Sequence, residues 1–332
     1  MKLLVLRFSS IGDIVLTSPV LRCLKTQIPG VEIHFLTKKK FFGLVEHNPH
    51  IDKILTFEKD LSRLIPALKK EKYDAIIDLH HNLRSAWLKA RLGIKSSSFN
   101  KLNLKKWAYV NLKWKAMPEV HIVDRYLDTV KFLGVENDGN GLEFYPCECD
   151  KPEQTDLPAQ FQNQPYAVAS IGGTHFTKKM PAEKWAELIS GLTIPVILIG
   201  GKEDIDSGIG IEKNLSPKAP KIWNACGKFS IGGSAHLIKQ ASLVISHDTG
   251  MMHIAAAFQK PIVAIWGNTT PELGMYPYKT PFFNMEVSGL TCRPCSKIGY
   301  SSCPKGHFRC MQDQNIRGTS LWDFIHSSLR NS

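Results

Sequence analysis

The segment Asp248-Thr249-Gly250 combines residue types that suit the binding of a phosphate group. The apolar run Leu243 to Ile245 precedes it and predicts a buried strand, while Met251 to Phe258 predicts a helix. Backbone N–H groups and the positive end of the helix dipole meet at such a turn, and a glycine there lets an oxygen approach the backbone closely. The spacing fits a second interpretation equally well, in which Asp248 and Thr249 only cap the helix.

The loop that carries Asp13 has the same kind of position near the start of the chain. Leu3 to Leu6 predicts a strand, and Ile14 to Gln27 predicts a helix. Open α/β sheets bind their ligands in such strand-to-helix loops. A carboxylate there can accept the proton of an attacking hydroxyl group. The alternative is that Asp13 caps the helix that follows it.

A third polar segment follows Tyr166 to Ile171, which predicts another strand. It begins with Gly-Gly-Thr at residues 172–174 and contains Lys178, three residues before Pro181. Lys178 is a candidate cation in the segment that follows this strand. Lys179 is the alternative cation, and a lysine exposed to solvent is the default.

These three segments resemble the motifs of glycosyltransferase family nine, the heptosyltransferases. The matching strings are KLLVLRFSSIGDIVLTSP at 2–19, Gly-Gly-Thr with Lys178 and Pro181 before Trp185, S-x-D-T-G-x-x-H-x-A-A-A at 246–257, and K-P-x-V-A-x-W-G at 260–267. The resemblance extends over most of the chain.

The resemblance implies an inverting glycosyltransferase that moves a heptose from ADP-heptose to the inner core of lipid A-core lipopolysaccharide. It implies that no cofactor is required for catalysis. It makes Asp13 the catalytic base and places Lys178 against the donor diphosphate. Gln259 and Asn268 depart from the family pattern, which has Gly and Pro at these positions. Both are loop positions, so the departures bear on loop shape rather than on activity.

The resemblance also suggests which residues meet the two substrates. Glu203 resembles an acid that contacts the donor ribose. His253 lies four residues after Thr249 on the same helix face, where it could reach the donor or serve as a structural histidine. The predicted donor-binding residues are Thr174, Thr177, Glu203, Asp248, Thr249, Gly250 and His253. The predicted acceptor-binding residues are Ser10, Gly12, His80, Arg84, Lys101, Lys105 and Lys106.

Strands and helices alternate along the chain, which predicts parallel, doubly wound sheets. A chain of 332 residues can form about two domains. The expected fold class is therefore α/β, with two Rossmann-like domains facing across a cleft in the GT-B arrangement of the family. The predicted divisions are an acceptor-binding domain at 1–150, a linker at Glu136 to Gln164, a nucleotide-sugar domain at 160–312, and a terminal segment, 313–332, whose helix packs back on the first domain.

Leu79 to Pro118 carries nine lysines and arginines and no carboxylate, with three tryptophans and a tyrosine among them. This composition and the net charge of +12 fit an anionic membrane surface or a nucleic-acid backbone. The alternative is a solvated basic face whose aromatic side chains pack inward. No apolar run reaches the roughly 18 residues of a membrane span, and Leu3 to Leu6 is too short for a signal peptide. We therefore expect a cytoplasmic protein, peripheral at the inner face of the inner membrane.

Four of the eight cysteines are grouped late in the sequence, as Cys292-x2-Cys295-x7-Cys303-x6-Cys310, with His307 between the last two. One C-x-x-C pair and two further cysteines could form a tetrahedral structural zinc site. The second pair lacks the tight spacing of a strong zinc motif. Free or redox-active thiols and disulfides are the alternatives, although a cytoplasmic chain seldom keeps disulfides.

Two other functions fit parts of this pattern. Another nucleotide-sugar enzyme on the same scaffold, such as an epimerase or a transferase for a different sugar, would keep the donor motifs. Acceptor-dependent release of ADP distinguishes the epimerase. A nucleic-acid-binding protein would explain the charge and would bind RNA or DNA in a salt-sensitive way. The sequence contains no recognised nucleic-acid module, so we expect no nucleic-acid partner.

Overall fold

The computed structural model describes residues 1–115 and 117–330 of the chain. Its strands are β1 (Lys2–Leu6), β2 (Glu32–Lys38), β3 (Lys53–Phe57), β4 (Ala75–Asp78), β5 (Ser96–Ser98), β6 (Ala167–Ser170), β7 (Val196–Ile199), β8 (Ile222–Asn224), β9 (Leu243–His247), β10 (Ile262–Trp266) and β11 (Phe282–Glu286). Its α-helices are α1 (Ile11–Val15), α2 (Ser18–Gln27), α3 (Ile65–Lys70), α4 (Leu83–Leu92), α5 (Asn103–Asn111), α6 (Ile122–Leu127), α7 (Ala182–Ser190), α8 (Ile205–Lys213), α9 (Ile231–Gln240), α10 (Gly250–Ala257), α11 (Arg309–Gln312) and α12 (Thr319–Arg330).

The chain divides into two compact units. Residues 1–102 and 120–147 form the first unit, and residues 103–119 with the chain from 148 onward form the second. The first unit holds a five-stranded sheet in the order β3-β2-β1-β4-β5, and the second a six-stranded sheet in the order β11-β10-β9-β6-β7-β8. All strand pairs in both sheets are parallel. The predicted α/β class is confirmed.

Each sheet reverses its strand order at one place, between β1 and β4 in the first unit and between β6 and β9 in the second. Ligands of open α/β sheets bind beyond the carboxyl ends of the strands at such a reversal. The segments that follow these four strands contain Asp13, at the start of α1, and His80, Lys178 and Asp248. The fold therefore places these four candidate functional residues at the two reversal points, one in each unit.

The central strands are buried on both faces, as parallel sheets covered by helices require. Leu3 to Leu6 in the first sheet and Leu243 to Ile245 in the second have no exposed surface. Trp185 of α7 and Met311 of α11 pack in the core of the second unit. Because close-packed strands cannot shift easily, the loops at their carboxyl ends have fixed starting points.

The predicted helix from Ile14 to Gln27 is divided into α1 and α2. The hydroxyl groups of Thr17 and Ser18 donate to the backbone carbonyls of Ile14 and Val15, at 2.7 and 2.8 Å. Pro19, in the first turn of α2, has no N–H for a continuous helical ladder. The sequence pattern missed the break because the apolar spacing continues through it.

Two segments lie in a different unit from the one we expected. Residues 103–119, with α5, belong to the second unit, although the sequence placed them in the domain at 1–150. The terminal helix α12, expected on the first domain, also belongs to the second unit. Its Leu321 is buried in the core of that unit, and its Trp322 ring fills the space that a side chain at Gly191 would occupy. The apolar face of α12 therefore stabilises the second sheet.

Candidate active site

The turn after β9 lies at the reversal point of the second sheet. Thr249 stands at the N-cap of α10, which begins at Gly250, but the Thr249 side chain makes no capping hydrogen bond. The carboxylate of Asp248 is bound to other groups, described next. The capping interpretation is therefore not supported, and the start of α10 keeps the N–H groups and the dipole that favour an anion.

Asp248 and Lys178 form a close ion pair. The Lys178 ammonium lies 2.6 Å from the Oδ2 atom of Asp248 and also donates to its backbone carbonyl at 2.9 Å. The Thr269 hydroxyl donates to the same Oδ2 atom at 2.8 Å. Burial opposes ionisation of Asp248, but the charge of Lys178 and these hydrogen bonds outweigh it, so the pKa of Asp248 is lowered. Asp248 is thus an anion that fixes the lysine, and it would repel a phosphate rather than bind one.

Lys179 forms a second ion pair, with Asp204. Its ammonium lies 2.6 Å from Oδ1 of this buried carboxylate, whose Oδ2 accepts a hydrogen bond from the Gly201 N–H at 2.9 Å. A side chain at Gly172 would come within 2.6 Å of Oδ2, so glycine is required for this approach. Glu203, the acid singled out from the sequence, is exposed. The acid that contacts Lys179 is therefore Asp204 and not Glu203.

The Thr177 hydroxyl is engaged within the protein. It accepts a hydrogen bond from the Tyr300 N–H at 2.8 Å and lies 3.3 Å from the Tyr300 carbonyl, to which it donates. The prediction that Thr177 donates to a phosphate oxygen is therefore corrected. Its buried hydroxyl instead connects the loop of Lys178 to the segment from Cys292 to Cys310, which contains Tyr300. Thr174, the other predicted donor, is exposed.

His247 is a buried residue whose role the sequence did not reveal. Its Nε2 atom accepts a hydrogen bond from the Met180 N–H at 2.9 Å. Burial lowers the pKa of His247 to about 4, so the ring is uncharged at neutral pH and can accept this bond. It thereby holds the loop of Lys178 against the end of β9. His253, one turn into α10, is buried.

Arg293 is a second residue that the sequence did not reveal. Its guanidinium donates to the backbone carbonyl of Gly267 at 2.7 Å and to that of Thr269 at 3.0 Å, and it pairs with Glu286 at 2.8 Å. The loop after β10 is thus held in place, and Thr269 of this loop binds Asp248. No local motif could have linked Arg293 to a loop more than twenty residues earlier.

In the first unit, Asp13 lies in α1, directly after the loop that follows β1. One oxygen of its carboxylate is 2.7 Å from the Arg7 guanidinium, and the other accepts the Ser10 hydroxyl at 2.8 Å and the Ser10 N–H at 3.2 Å. The contact with the Ser10 N–H supports the capping interpretation, and the role of Asp13 as a catalytic base stays a prediction. Burial opposes ionisation, but Arg7 and Ser10 lower the pKa of Asp13. The carboxylate is ionised at neutral pH, as a proton acceptor must be.

Arg7 is buried and is held from three sides. Its guanidinium donates to the Leu79 carbonyl, to the Tyr126 hydroxyl at 2.9 Å and to the Ser9 carbonyl at 2.6 Å. A guanidinium has a planar, fixed arrangement of donors, so these partners also set the direction from which it meets Asp13. The orientation of Asp13 therefore depends on residues from β1, the end of β4 and α6.

Asp78 shapes the second loop of this unit. Its carboxylate is fully buried and accepts the backbone N–H groups of His80 at 3.0 Å and His81 at 2.7 Å. The Ser85 hydroxyl donates to it at 2.8 Å, and Lys89 pairs with it at 2.9 Å. One cation of the basic stretch is therefore structural rather than available to a ligand.

His80, one of the predicted acceptor residues, packs against an aromatic ring and is uncharged. Its ring packs 4.7 Å from that of Phe8. Burial, with the positive charges of Arg7 and Lys101, lowers the pKa of His80 to about 4, so the ring is uncharged. Its buried Nδ1 atom makes no hydrogen bond with any residue in the described ranges 1–115 and 117–330.

The structure divides the other predicted acceptor residues between the two units. In the first unit, Gly12 is buried and Arg84 is exposed at the start of α4. Lys101 lies close enough for its charge to lower the pKa of His80. Lys105 and Lys106 lie on α5 and therefore belong to the second unit. The basic stretch is thus not one surface of a single domain.

The four late cysteines are neighbours, but they do not form a closed metal cage. Burial and nearby thiols raise the pKa of Cys295 to about 11 and that of Cys310 to about 12. Sulfur ligands of a tetrahedral zinc lie roughly 3.8 Å apart. Within the described residues, the only set of three or more possible ligand atoms mutually within 4.8 Å belongs to Glu32, His34 and Glu71. That set already pairs with lysines and needs no metal to balance its charge.

Two of the remaining cysteines, Cys147 and Cys149, are disulfide-bonded, whereas the four late cysteines are free thiols.

Comparison with known proteins connects this geometry to a family. Residues 61–303 match the family described as glycosyltransferase family 9 (heptosyltransferase). The chain belongs to glycosyltransferase family 9. The lipopolysaccharide heptosyltransferase 1 of Campylobacter coli is 27% identical over 297 residues, which cover 81% of this chain and 84% of that protein.

Solved structures establish the fold. The family 9 glycosyltransferase of Veillonella parvula has a TM-score of 0.76 and 20% identity, and the match covers 100% of this chain and 98% of that one. E. coli heptosyltransferase WaaC with ADP has a TM-score of 0.65 and 22% identity, covering 99% and 100%. The iron-containing glycosyltransferase TibC of enterotoxigenic E. coli has a TM-score of 0.58 and 16% identity, covering 99% and 76%. The two units are the Rossmann-like domains of a GT-B glycosyltransferase, as predicted.

None of the helices in the described part of this family 9 enzyme is long and apolar enough to cross a bilayer.

The Arg7–Asp13 pair predicts a change in pH dependence. In Arg7→Gln the carboxylate loses its cation, so the pKa of Asp13 should rise. The acid limb of the profile of kcat/KM against pH should therefore move to higher pH. Arg22→Gln is the matched control, because this buried arginine pairs with Asp138 at 2.6 Å and should leave the limb unmoved. An Arg7→Gln profile that differs from wild type only in height would contradict the role assigned to the pair.

Proposed function

We propose that this glycosyltransferase moves a heptose from ADP-heptose to the inner core of lipopolysaccharide, with inversion at the anomeric carbon. The observation that carries the proposal is the Lys178–Asp248 pair beside the start of α10. A lysine and a helix dipole there can stabilise the negative charge of a departing nucleoside diphosphate. The name of the C. coli relative, a lipopolysaccharide heptosyltransferase, supports the choice of sugar and acceptor.

In the proposed reaction, a hydroxyl oxygen of the acceptor forms a bond to the anomeric carbon while the bond from that carbon to the diphosphate breaks. ADP leaves with the electron pair, and Asp13 takes the proton of the hydroxyl group. A single displacement of this kind inverts the anomeric configuration. The low pKa of Asp13 makes it a weak base, which suits a proton that is removed late, after the forming bond has made the hydroxyl acidic.

The residues of the second unit have separate proposed tasks. Gly250 and Thr249 hold the diphosphate, Lys178 neutralises it, and Asp248 positions the lysine. Thr249 lies 3.6 Å from the place that a side chain at Gly173 would take, so both belong to the same surroundings. The exposed residues Thr174 and Glu203, and His253 of α10, stay predicted donor contacts.

We place the enzyme at the cytoplasmic side of the inner membrane as a peripheral protein. The net charge of +12 favours an anionic surface, and lipid A-core lipopolysaccharide is an anionic, membrane-held acceptor. A transferase for a different nucleotide-activated sugar is the alternative. The residues of the proposed donor site would bind the diphosphate, and none of them has been assigned to the sugar.

A structural metal at Cys292, Cys295, Cys303 and Cys310 stays a prediction. Four thiolates are a suitable donor set for zinc or iron, and the similar structure of TibC is described as iron-containing. The thiols would need to move closer together than they are here to hold an ion. A metal would then stabilise the segment from Cys292 to Cys310. Tyr300 of this segment donates a hydrogen bond to Thr177, the residue before Lys178.

The function is tested with purified protein, ADP-heptose and heptose-free lipopolysaccharide core, by acceptor-dependent release of ADP and by mass spectrometry of the product. Asp13→Asn should bind the donor but lose turnover by about 10²–10⁴-fold, because the amide cannot accept the proton. Asp74→Asn is the control, because this exposed carboxylate lies away from the loop after β1. Turnover near wild type in Asp13→Asn would remove this residue from the mechanism, and no mass increase of one heptose would remove the proposed reaction.

The donor site predicts metal-independent binding of ADP. Titration calorimetry in excess EDTA should show that Lys178→Ala and Gly250→Val weaken ADP binding, by loss of charge and by blocking the approach of an oxygen to the backbone. Lys178→Ala should also slow transfer. Lys213→Ala on α8 is the control, because this lysine is exposed. The idea fails if wild type binds ADP only after magnesium is restored, or if both variants bind as wild type does.

The cysteine group predicts about one metal ion per chain. Protein purified without chelator should contain zinc or iron by elemental analysis, and Cys292→Ser with Cys295→Ser should remove most of it. Cys226→Ser is the control, since this buried cysteine lies outside the group. Wild-type protein with no bound transition metal would overturn the prediction.

A further inference from the structure

Helix α5 and the residues after it are attached to the second unit at two points. Tyr109 is buried, and its hydroxyl lies 3.0 Å from that of Thr270 and donates to Glu272 at 3.3 Å. The Lys113 ammonium donates to the backbone carbonyls of Cys292 and Pro294, at 3.1 and 2.7 Å. The segment is therefore fixed to the protein surface and presents one definite side to its surroundings.

The outward side of this segment is apolar. Leu104 is 85% exposed and Trp107 is 58% exposed, and because they are three residues apart they share one face of α5. Leu112 and Trp114, which follow the helix, are 62% and 65% exposed. We expected aromatic side chains to pack inward if the basic stretch were an ordinary solvated face. In this segment only Tyr109 does so. Several large apolar side chains exposed together mark a surface that binds something else.

The charge of the segment limits what that partner can be. Lys105 and Lys106 lie on α5, Lys115 follows Trp114, and no carboxylate occurs between Leu79 and Pro118. Lysines beside an apolar patch suit a surface that is anionic outside and apolar beneath. Indole rings favour the boundary between lipid head groups and acyl chains, and each lysine near an anionic bilayer adds about 1 kcal/mol of attraction.

We propose that residues 103–115 are a docking segment for an anionic lipid bilayer, in which Leu104, Trp107, Leu112 and Trp114 enter the interface and the lysines meet the head groups. Single-stranded nucleic acid would also use lysines and tryptophans, because bases stack on indole rings. It offers no partner to two exposed leucines, whereas acyl chains do. The leucines therefore favour lipid.

The docking segment is joined to the half of the enzyme that carries the donor residues. Thr270, which contacts Tyr109, directly follows Thr269, whose hydroxyl binds Asp248. A bilayer bound at the segment would thus hold the second unit at the membrane by an attachment next to the loop that fixes Lys178. The proposal does not depend on the sugar or on the acceptor, so binding to lipid can be measured without either.

The test uses full-length protein and sucrose-loaded vesicles. The vesicles contain phosphatidylcholine alone or with about 30 mol % phosphatidylglycerol, which gives an anionic surface. Sedimentation at low salt should show binding to the anionic vesicles and little to the neutral ones. Lys105→Gln with Lys106→Gln should weaken that binding about fivefold per lysine. Trp107→Ser with Trp114→Ser should weaken it about tenfold or more, because less apolar surface is buried.

Matched controls on the same unit are Lys213→Gln with Lys218→Gln, and Ile209→Ser, whose side chains are exposed on or near α8. They should bind as wild type does. Circular dichroism and ADP titration of each variant distinguish loss of lipid binding from loss of folding. In addition, brominated lipid should quench tryptophan emission in wild type and much less in the tryptophan variant.

The proposal is overturned if wild type ignores anionic vesicles at low salt, or if both segment variants sediment with them as wild type does. It is also overturned if the variants lose affinity for single-stranded RNA while keeping their affinity for vesicles, because the segment would then serve nucleic acid. No donor or acceptor is present in these assays, so failure of the heptosyl reaction would leave the vesicle result unchanged, and the reverse also holds.

Discussion

A buried carboxylate paired with a cation is the interaction on which the donor half of this enzyme depends. Burial alone would favour the neutral form of Asp248, yet Lys178 and Thr269 keep it ionised. Removing one partner of such a pair leaves an uncompensated buried charge, at a cost of about 3–5 kcal/mol. The two charges therefore hold each other in place, and the lysine points where the sheet and the start of α10 present their polar groups. Arg293 extends this arrangement, because it fixes the loop that brings Thr269 to the carboxylate.

The same device recurs near the other strand ends. Arg7 binds Asp13 after β1, Lys89 binds Asp78 at the end of β4, and Lys179 binds a carboxylate that lies after β7. The physical reason is common to all of them. A loop at the reversal point of a parallel sheet must present polar groups to a ligand, while its base lies against an apolar core that penalises unpaired charge. The pairs do not share one function, since Asp78 shapes its own loop, whereas Asp13 is the proposed proton acceptor.

The strands and the ligand-bearing loops could be predicted from the sequence because their signals are local. The short length of an apolar run such as Leu3 to Leu6 favours a buried strand over a helix, and the polar residues after it then lie at the strand end. The supporting contacts could not be predicted, because they join residues far apart. Arg7 meets Tyr126 across 119 positions, and the Thr177 hydroxyl meets Tyr300 across 123. Likewise, no local pattern in residues 103–119 indicates which core receives Tyr109, so the sequence placed them in the other unit.

These pairs also determine how the large positive charge of the chain can be used. Lys178 and Lys179, the cations of the donor loop, are each within 2.6 Å of a carboxylate, so the loop adds little net charge to its surroundings. In the proposed donor site, a diphosphate would share Lys178 with Asp248, and its recognition would rest on the placement of the lysine and the N–H groups of α10 rather than on excess charge. The proposed docking segment, residues 103–115, has the opposite character, with several lysines and no carboxylate of its own. Such a stretch attracts an extended anionic surface with little regard to its detailed shape. In the proposed functions, paired charges orient a small ligand, whereas the like charges of the docking segment attract a large anionic partner.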